Sequence, residues 1–184
     1  MNFSTHDRKM MARALVMAAK GRFTAAPNPA VGCVISIDEN IVGEGYTRPA
    51  GENHAEIEAL NMVQDPVGCC VYVTLEPCSH RGRTGPCAQA LIDAGVARVV
   101  IACEDPNPQV CGRGIQLLKD AGIEVDCGLL EDQARDLNQG FIKRHEHGLP
   151  WVLVKMAASM DGRTAMASGQ SQWVTTPASR HDVQ

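Results

Sequence analysis

The stretch CCVYVTLEPCSHRGRTGPCAQALIDAGVARVVIAC, residues 69–103, decides the fold. Cys69 to Leu75 is a continuous apolar run rich in β-branched and aromatic residues, the pattern of a buried strand. EPCSHRGRTGPC is dense in Gly and Pro and reads as a loop. Cys87 to Ala94 has helical spacing and is stopped by Gly95, and Val96 to Cys103 is a second apolar strand.

The same alternation continues outward on both sides. Ser4 to Lys20 reads as a helix, with Ser4 and Asp7 as a capping pair and Gly21 as its stop. Val31 to Ile37 and Ile41 to Tyr46 read as strands joined by the turn Asp38-Glu39-Asn40, and a helix follows from about His54 to Gln64. Downstream, DPNPQVCGRG is a loop, Ile115 to Ala121 a helix ended by Gly122, Ile123 to Cys127 a strand, and Glu131 to about Arg144 a further helix. Strand and helix alternating over residues 31–144 indicate an α/β layered domain with a mixed sheet. HEHGLP, residues 145–150, reads as a linker. WVLVKMAA is a fresh strand, SMDGRTA a turn, and Thr176-Pro177 the start of a helix. The expected division is a domain over residues 1–146 and an incomplete one over 147–184.

Composition narrows the function. With 184 residues, 45% of them hydrophobic, the chain holds one complete core and something smaller. A net charge of −4 speaks against a nucleic-acid binder, and 4% aromatics are too few for a base-stacking platform. No stretch approaches the roughly 20 apolar residues of a membrane span, and the N-terminus lacks the pattern of a signal peptide. Neither nucleic acid nor membrane is therefore expected as a partner. A cytoplasmic, reducing setting is the expectation, so the eight cysteines are expected as thiols, not disulfides.

Some of these thiols have metal-ligand context. His54-Ala55-Glu56 is followed by Pro77-Cys78 and Pro86-Cys87. One imidazole and two thiolates make a three-ligand zinc set that leaves a fourth tetrahedral position for water, whose pKa zinc lowers towards neutrality. Glu56, in the first turn of its helix, is placed to move that water's proton without binding the metal. Zinc deaminases carry H-x-E, then P-C-x-x-C. Here Cys87 stands nine residues after Cys78 instead of three. Either the intervening residues loop out and Cys87 still opens the next helix, or it is no ligand. The helical CAQALIDAG favours the first, since a helix N-terminus stabilises a thiolate. The inserted Ser79-His80-Arg81-Gly82-Arg83-Thr84-Gly85 offers guanidinium forks, hydroxyls and backbone N–H groups suited to a phosphate.

Blander readings stand beside these. A structural zinc site needs a fourth protein ligand, and Cys33, Cys69, Cys70, Cys103 and Cys127 read as core fillers, with Cys111 a non-ligand. Asn28, Asp105 and Asn107 are ordinary turn residues by composition, and His6, His145, His147 and His181 read as surface. A nucleic-acid or nucleotide deaminase of the same zinc superfamily remains the alternative. An inactive zinc-stabilised module is another, for which Glu56→Gln would change nothing.

HAE, TLEPCSHRGRTGPC, DPNPQVCGRG and the earlier APNPAVGCVI resemble the bifunctional riboflavin-biosynthesis deaminase/reductase family, where the long cysteine spacing is normal. Gly85 departs from the proline usual there. The resemblance implies a cytidine-deaminase-like three-layer α/β/α domain followed by the truncated start of a dihydrofolate-reductase-like domain. It implies a hydrolase acting on a cyclic amidine C–N bond: zinc-dependent deamination of 2,5-diamino-6-ribosylamino-4(3H)-pyrimidinone 5′-phosphate to the 5-amino-6-ribosylaminouracil 5′-phosphate. His54, Cys78 and Cys87 are then the metal ligands and Glu56 the proton shuttle. Asn28, His80, Arg83, Thr84, Asp105 and Asn107 are substrate contacts. The tail resembles the start of the reductase half, with Ser171 as a substrate contact and Lys155, Ala157 and Trp173 as NADPH contacts. Reduction of the ribosyl group is expected only where that half is complete. The exposed apolar WVLVKMAA implies self-association.

Overall fold

In the computed structural model, which describes residues 3–80, 85–108 and 110–183, the Ser4–Asp7 capping pair opens α1 (Thr5–Lys20): the Asp7 N–H donates to Ser4 Oγ (3.0 Å) and the Ser4 N–H to Asp7 Oδ2 (2.9 Å). The chain then runs β1 (Gly32–Ile37), β2 (Asn40–Tyr46), α2 (Ala55–Leu60), β3 (Cys70–Val73), α3 (Cys87–Asp93), β4 (Arg98–Ile101), α4 (Arg113–Asp120), β5 (Glu124–Cys127), α5 (Glu131–Leu137), α6 (Gln139–His147) and α7 (Pro177–Asp182). It divides into two compact units, Met1–Trp151 and Val152–Gln184.

The sheet of the first unit has the order β2-β1-β3-β4-β5. β1 is antiparallel to both β2 and β3, while β3–β4 and β4–β5 are parallel, so the sheet is mixed. Two glycines show how helices cover both faces. A Cβ on Gly32 would meet the Ala14 carbonyl oxygen of α1 at 1.9 Å, and one on Gly45 would meet the Ala55 carbonyl oxygen of α2 at 2.1 Å. Gly45 pairs with Cys33, the neighbour of Gly32, and successive strand residues face opposite ways. α1 and α2 therefore lie on opposite faces, giving three layers. Met10, Met11, Val34, Ile35, Val71, Val73, Val99, Ile101 and Leu118 fill the core between them, and Cys33, Cys69 and Cys103 are buried with them.

A polar network crosses one end of the sheet. Asp7 Oδ1 accepts from Tyr72 Oη and from Arg98 Nη1, both at 2.8 Å, and Arg98 Nη2 donates to Asp126 Oδ2 at 2.6 Å. It ties α1 to β3, β4 and β5.

Three expectations from the sequence need correction. The single helix expected from Glu131 to Arg144 is two. At Asn138 the side chain turns inward, accepting from the Ala30 N–H (2.8 Å) and donating to the Ala30 carbonyl (2.9 Å), and this pairing displaces helical continuation. His145 and His147, placed in a linker, belong to α6, which closes at the left-handed Gly148. WVLVKMAA is not a strand: residues 151–158 are exposed and extend no sheet, because among the described residues no strand offers them a hydrogen-bonding partner. In the second unit Thr176 caps α7 through the Ser179 N–H (3.3 Å), with Pro177 at its first turn, as the sequence predicts. No described helix is long and apolar enough to cross a membrane.

Candidate active site

The parallel strands and α2 bring three chain segments to one point. His54 is the extended N-cap of α2 (φ −77°, ψ 166°), Cys78 lies beyond the end of β3, and Cys87 is the first residue of α3. His54 Nδ1 is 3.3 Å from Cys87 Sγ and 3.7 Å from Cys78 Sγ. α3 begins directly on the Cys78 residue: the Cys87 N–H donates to Cys78 Sγ (3.3 Å) and the Ala88 N–H to the Cys78 carbonyl (3.1 Å). The three donor atoms lie within 4.8 Å of one another, and among the described residues no other group of histidine, cysteine and acidic side chains is so arranged. The helix-opening placement of Cys87 is thus the one found.

Electrostatics mark the same point. The two thiols compete for one proton. Hydrogen bonding from Cys87 holds Cys78 down despite its burial, and the same bond together with burial pushes Cys87 up. The hydrogen bond to Cys78 raises His54. Glu56, 3% exposed in the first turn of α2, is pushed up to about 7, first by burial and then by the Cys78 charge. An imidazole and two cysteine sulfurs, one of them held towards the thiolate, are the soft donors that zinc selects, and three of them leave a tetrahedral position for a reactant.

A cavity of about 480 Å³ opens beside the cluster. His54, Glu56 and Cys78 line it, as do the predicted contacts Asn28, His80, Asp105 and Asn107. Its size suits a small organic ligand. Asp105 is buried and its carboxyl is raised, chiefly by burial, although the Asn107 N–H donates to Oδ1 at 2.8 Å. Another wall, with Thr47 and Glu52, is braced by α2: Glu58 accepts from Arg48 Nε (2.7 Å) and Asn53 Nδ2 (2.9 Å). Arg83 and Thr84, predicted as substrate contacts, lie outside the described residues. Lys155, Ala157, Ser171 and Trp173 are exposed in the second unit, where Trp173 packs under Arg180, 4.2 Å from ring centroid to guanidinium.

Reading the sequence missed Glu76 and Phe141, both of which line the cavity. Glu76 was signalled by an acid at the end of an apolar strand. Phe141, one of three phenylalanines in the chain, carried no local signal, since the break that starts α6 at Asn138 rests on a pairing with the remote Ala30. His145, read as surface, packs on Phe141 with ring centroids 4.5 Å apart, and His6 packs edge-on against Tyr72 at 6.1 Å.

The family model for the cytidine and deoxycytidylate deaminase zinc-binding region matches residues 4–103. The chain belongs to this deaminase family. A second model, the RibD C-terminal domain, matches residues 150–184 of this chain. The riboflavin biosynthesis protein RibD of Escherichia coli is 59% identical over 97% of this chain and 49% of its own length. Among solved structures, Acinetobacter baumannii RibD is 52% identical with a TM-score of 0.92, covering 97% of this chain and 50% of that one. A diaminohydroxyphosphoribosylaminopyrimidine deaminase/5-amino-6-(5-phosphoribosylamino)uracil reductase from Thermotoga maritima is 37% identical with a TM-score of 0.90, covering 97% and 52%. The mixed five-stranded sheet matches these structures, and the chain spans about half the length of the curated relatives it matches.

Proposed function

We propose that the first unit catalyses the hydrolytic deamination of 2,5-diamino-6-ribosylamino-4(3H)-pyrimidinone 5′-phosphate in riboflavin biosynthesis. The observation that carries the reading is the donor triad His54, Cys78 and Cys87 beside the buried Glu56 at the wall of a cavity sized for a small ligand. These three side chains would hold one zinc ion. When bound, zinc acts as a Lewis acid that makes hydroxide available near neutral pH.

The chain's own groups carry the proton. Glu56 takes a proton from the attacking water and passes it to a ring nitrogen. It then takes the remaining proton from the adduct's hydroxyl and delivers it to the departing amine, so that the C–N bond breaks, ammonia leaves and the ring keeps the oxygen as a carbonyl. A carboxyl near neutrality is matched to both directions of transfer. Asn28, His80, Asp105 and Asn107 hold the heterocycle and its ribosyl arm, and Arg83 with Thr84 receives the phosphate. The relatives named RibD support this substrate over a base in nucleic acid, as does the net charge of −4.

Reduction of the ribosyl group with NADPH through Lys155, Ala157, Ser171 and Trp173 belongs to the proposal only for a chain carrying the whole RibD C-terminal domain. Exposed Leu153, Val154 and Met156 support self-association, and thiolate ligands support a reducing cytoplasm.

The test is ammonia release from the diaminopyrimidine phosphate by zinc-loaded protein, with metal content measured on the same sample. Turnover at one zinc per chain is expected. An intact pyrimidine at full zinc occupancy, or deamination of tRNA or single-stranded DNA in its place, overturns the reading.

A further inference from the structure

Glu76 is a buried acid that the proton chemistry does not use. It is 4% exposed, just beyond β3, and its carboxylate gathers four backbone N–H groups from two other segments. Oε2 accepts from Asp105 (3.2 Å) and Gly112 (3.0 Å), and Oε1 from Gly114 (2.8 Å) and Ile115 (3.2 Å). Burying a carboxylate is costly unless its lone pairs are filled, and here four donors fill them.

The donors explain the placement. α4 has no side-chain cap of its own, because its N-cap is Gly112 in the left-handed region (φ 74°). Glu76 supplies, from the loop beyond β3, the acceptor that first-turn N–H groups require. The same carboxylate ties down Asp105, which in turn holds the Asn107 N–H. The other side of the contact is closed as well: a Cβ on Gly114 would lie 2.0 Å from the Pro77 carbonyl oxygen, immediately before Cys78. Asp105, Asn107 and Val110 form one wall of the cavity, and Cys78 and Glu56 line it too. One side chain therefore sets the spacing between the wall and the reacting end.

We propose that Glu76 is a positioning residue for the substrate, fixing the Asp105–Val110 wall relative to Cys78 and Glu56. The proposal rests on the deaminase reading above. A wall that holds substrate and transition state alike governs KM. A residue that only kept the chain folded would shrink the active fraction, lowering kcat at unchanged KM.

The variant is Glu76→Gln, whose amide sets an N–H group against two of the four donors. In the zinc-loaded protein, KM for the diaminopyrimidine phosphate is expected to rise at least tenfold, with kcat within about threefold of wild type and zinc at one per chain. Without substrate, amide hydrogen exchange at Asp105, Gly112, Gly114 and Ile115 is expected to quicken at least tenfold while β3 and β4 are unchanged. A kcat loss at constant KM, or unchanged exchange at those four amides, overturns the proposal. If Glu76→Gln does not fold, wild-type exchange with and without the uracil product decides. The four amides gain protection together if Glu76 couples them to the ligand, and protection confined to Asp105 refutes it. A wild type that releases no ammonia sinks the deaminase reading, while the exchange comparison still judges the clamp.

Discussion

The backbone N–H of Cys87 donates to the sulfur of Cys78 across 3.3 Å, although nine positions separate the two in sequence. The first turn of α3 is thereby docked on Cys78, within the loop that follows β3, and both sulfurs reach His54. Replacing either cysteine by serine removes a soft donor from a three-donor set. Zinc affinity is expected to fall by more than about a hundredfold, above the penalty for losing an outer partner of a ligand, and turnover is lost with the metal. Metal analysis after dialysis, paired with ammonia release, checks this.

Glu56→Gln is expected to separate chemistry from metal binding. The amide keeps the shape and cannot carry the proton, so kcat should drop by roughly 10²–10⁴ with zinc content unchanged. A variant of full activity would return Glu56 to the role of a buried structural acid.

Gly45→Ala tests how α2 is seated. The added Cβ would sit 2.1 Å from the Ala55 carbonyl oxygen and 2.7 Å from the Ala59 N, so the helix must shift. Overpacking of this kind costs about 1–3 kcal/mol. Because His54 and Glu56 ride on the first turn of α2, a loss of kcat is expected beside a lower Tm. Circular dichroism melting and steady-state kinetics on one preparation measure both.

Asp7 links stability to pH. Burial alone would raise its carboxyl, but hydrogen bonds from Arg98, Ser4 and Tyr72 outweigh it and hold the group well below the ordinary carboxylate range. A group depressed in the folded state stabilises fully above its unfolded pKa of about 3.9, and that stability is lost as pH falls further. Wild-type stability should therefore decline as pH falls below about 4 to 5. Asp7→Asn leaves Arg98 short of one partner and is expected to cost about 3 kcal/mol near neutral pH, with a flatter acid limb. Urea unfolding at several pH values measures the difference.

Phe141 supplies the aromatic wall of the cavity. Phe141→Ala should raise KM about tenfold, equivalent to about 1.4 kcal/mol of lost contact, and leave zinc bound. Unchanged KM would remove α6 from the binding surface.

Much of this was legible in order along the chain. The apolar runs at 31–37, 69–75 and 96–103 and the Gly-stopped helices declared the layers, because periodicity and turn chemistry are local. Cys78 and Cys87 were legible because a preceding proline marks ligand context, and His54 and Glu56 because of their H-x-E spacing at a helix start. Asn138 was not legible, since its partner, Ala30, is remote in sequence and the break in the helix exists only through that pairing. The strand expected in WVLVKMAA failed because a strand is a property of two segments.

Side-chain chemistry and short-range spacing account for the mixed α/β layering, the donor types and the acid beside them. Long-range packing brings Cys87 to His54, joins two distant segments on Glu76 and sets Phe141 in the cavity wall. Those relationships are distances between residues far apart in the chain, and they come into being only when helices pack on the sheet closely enough for glycine alone to fit between them.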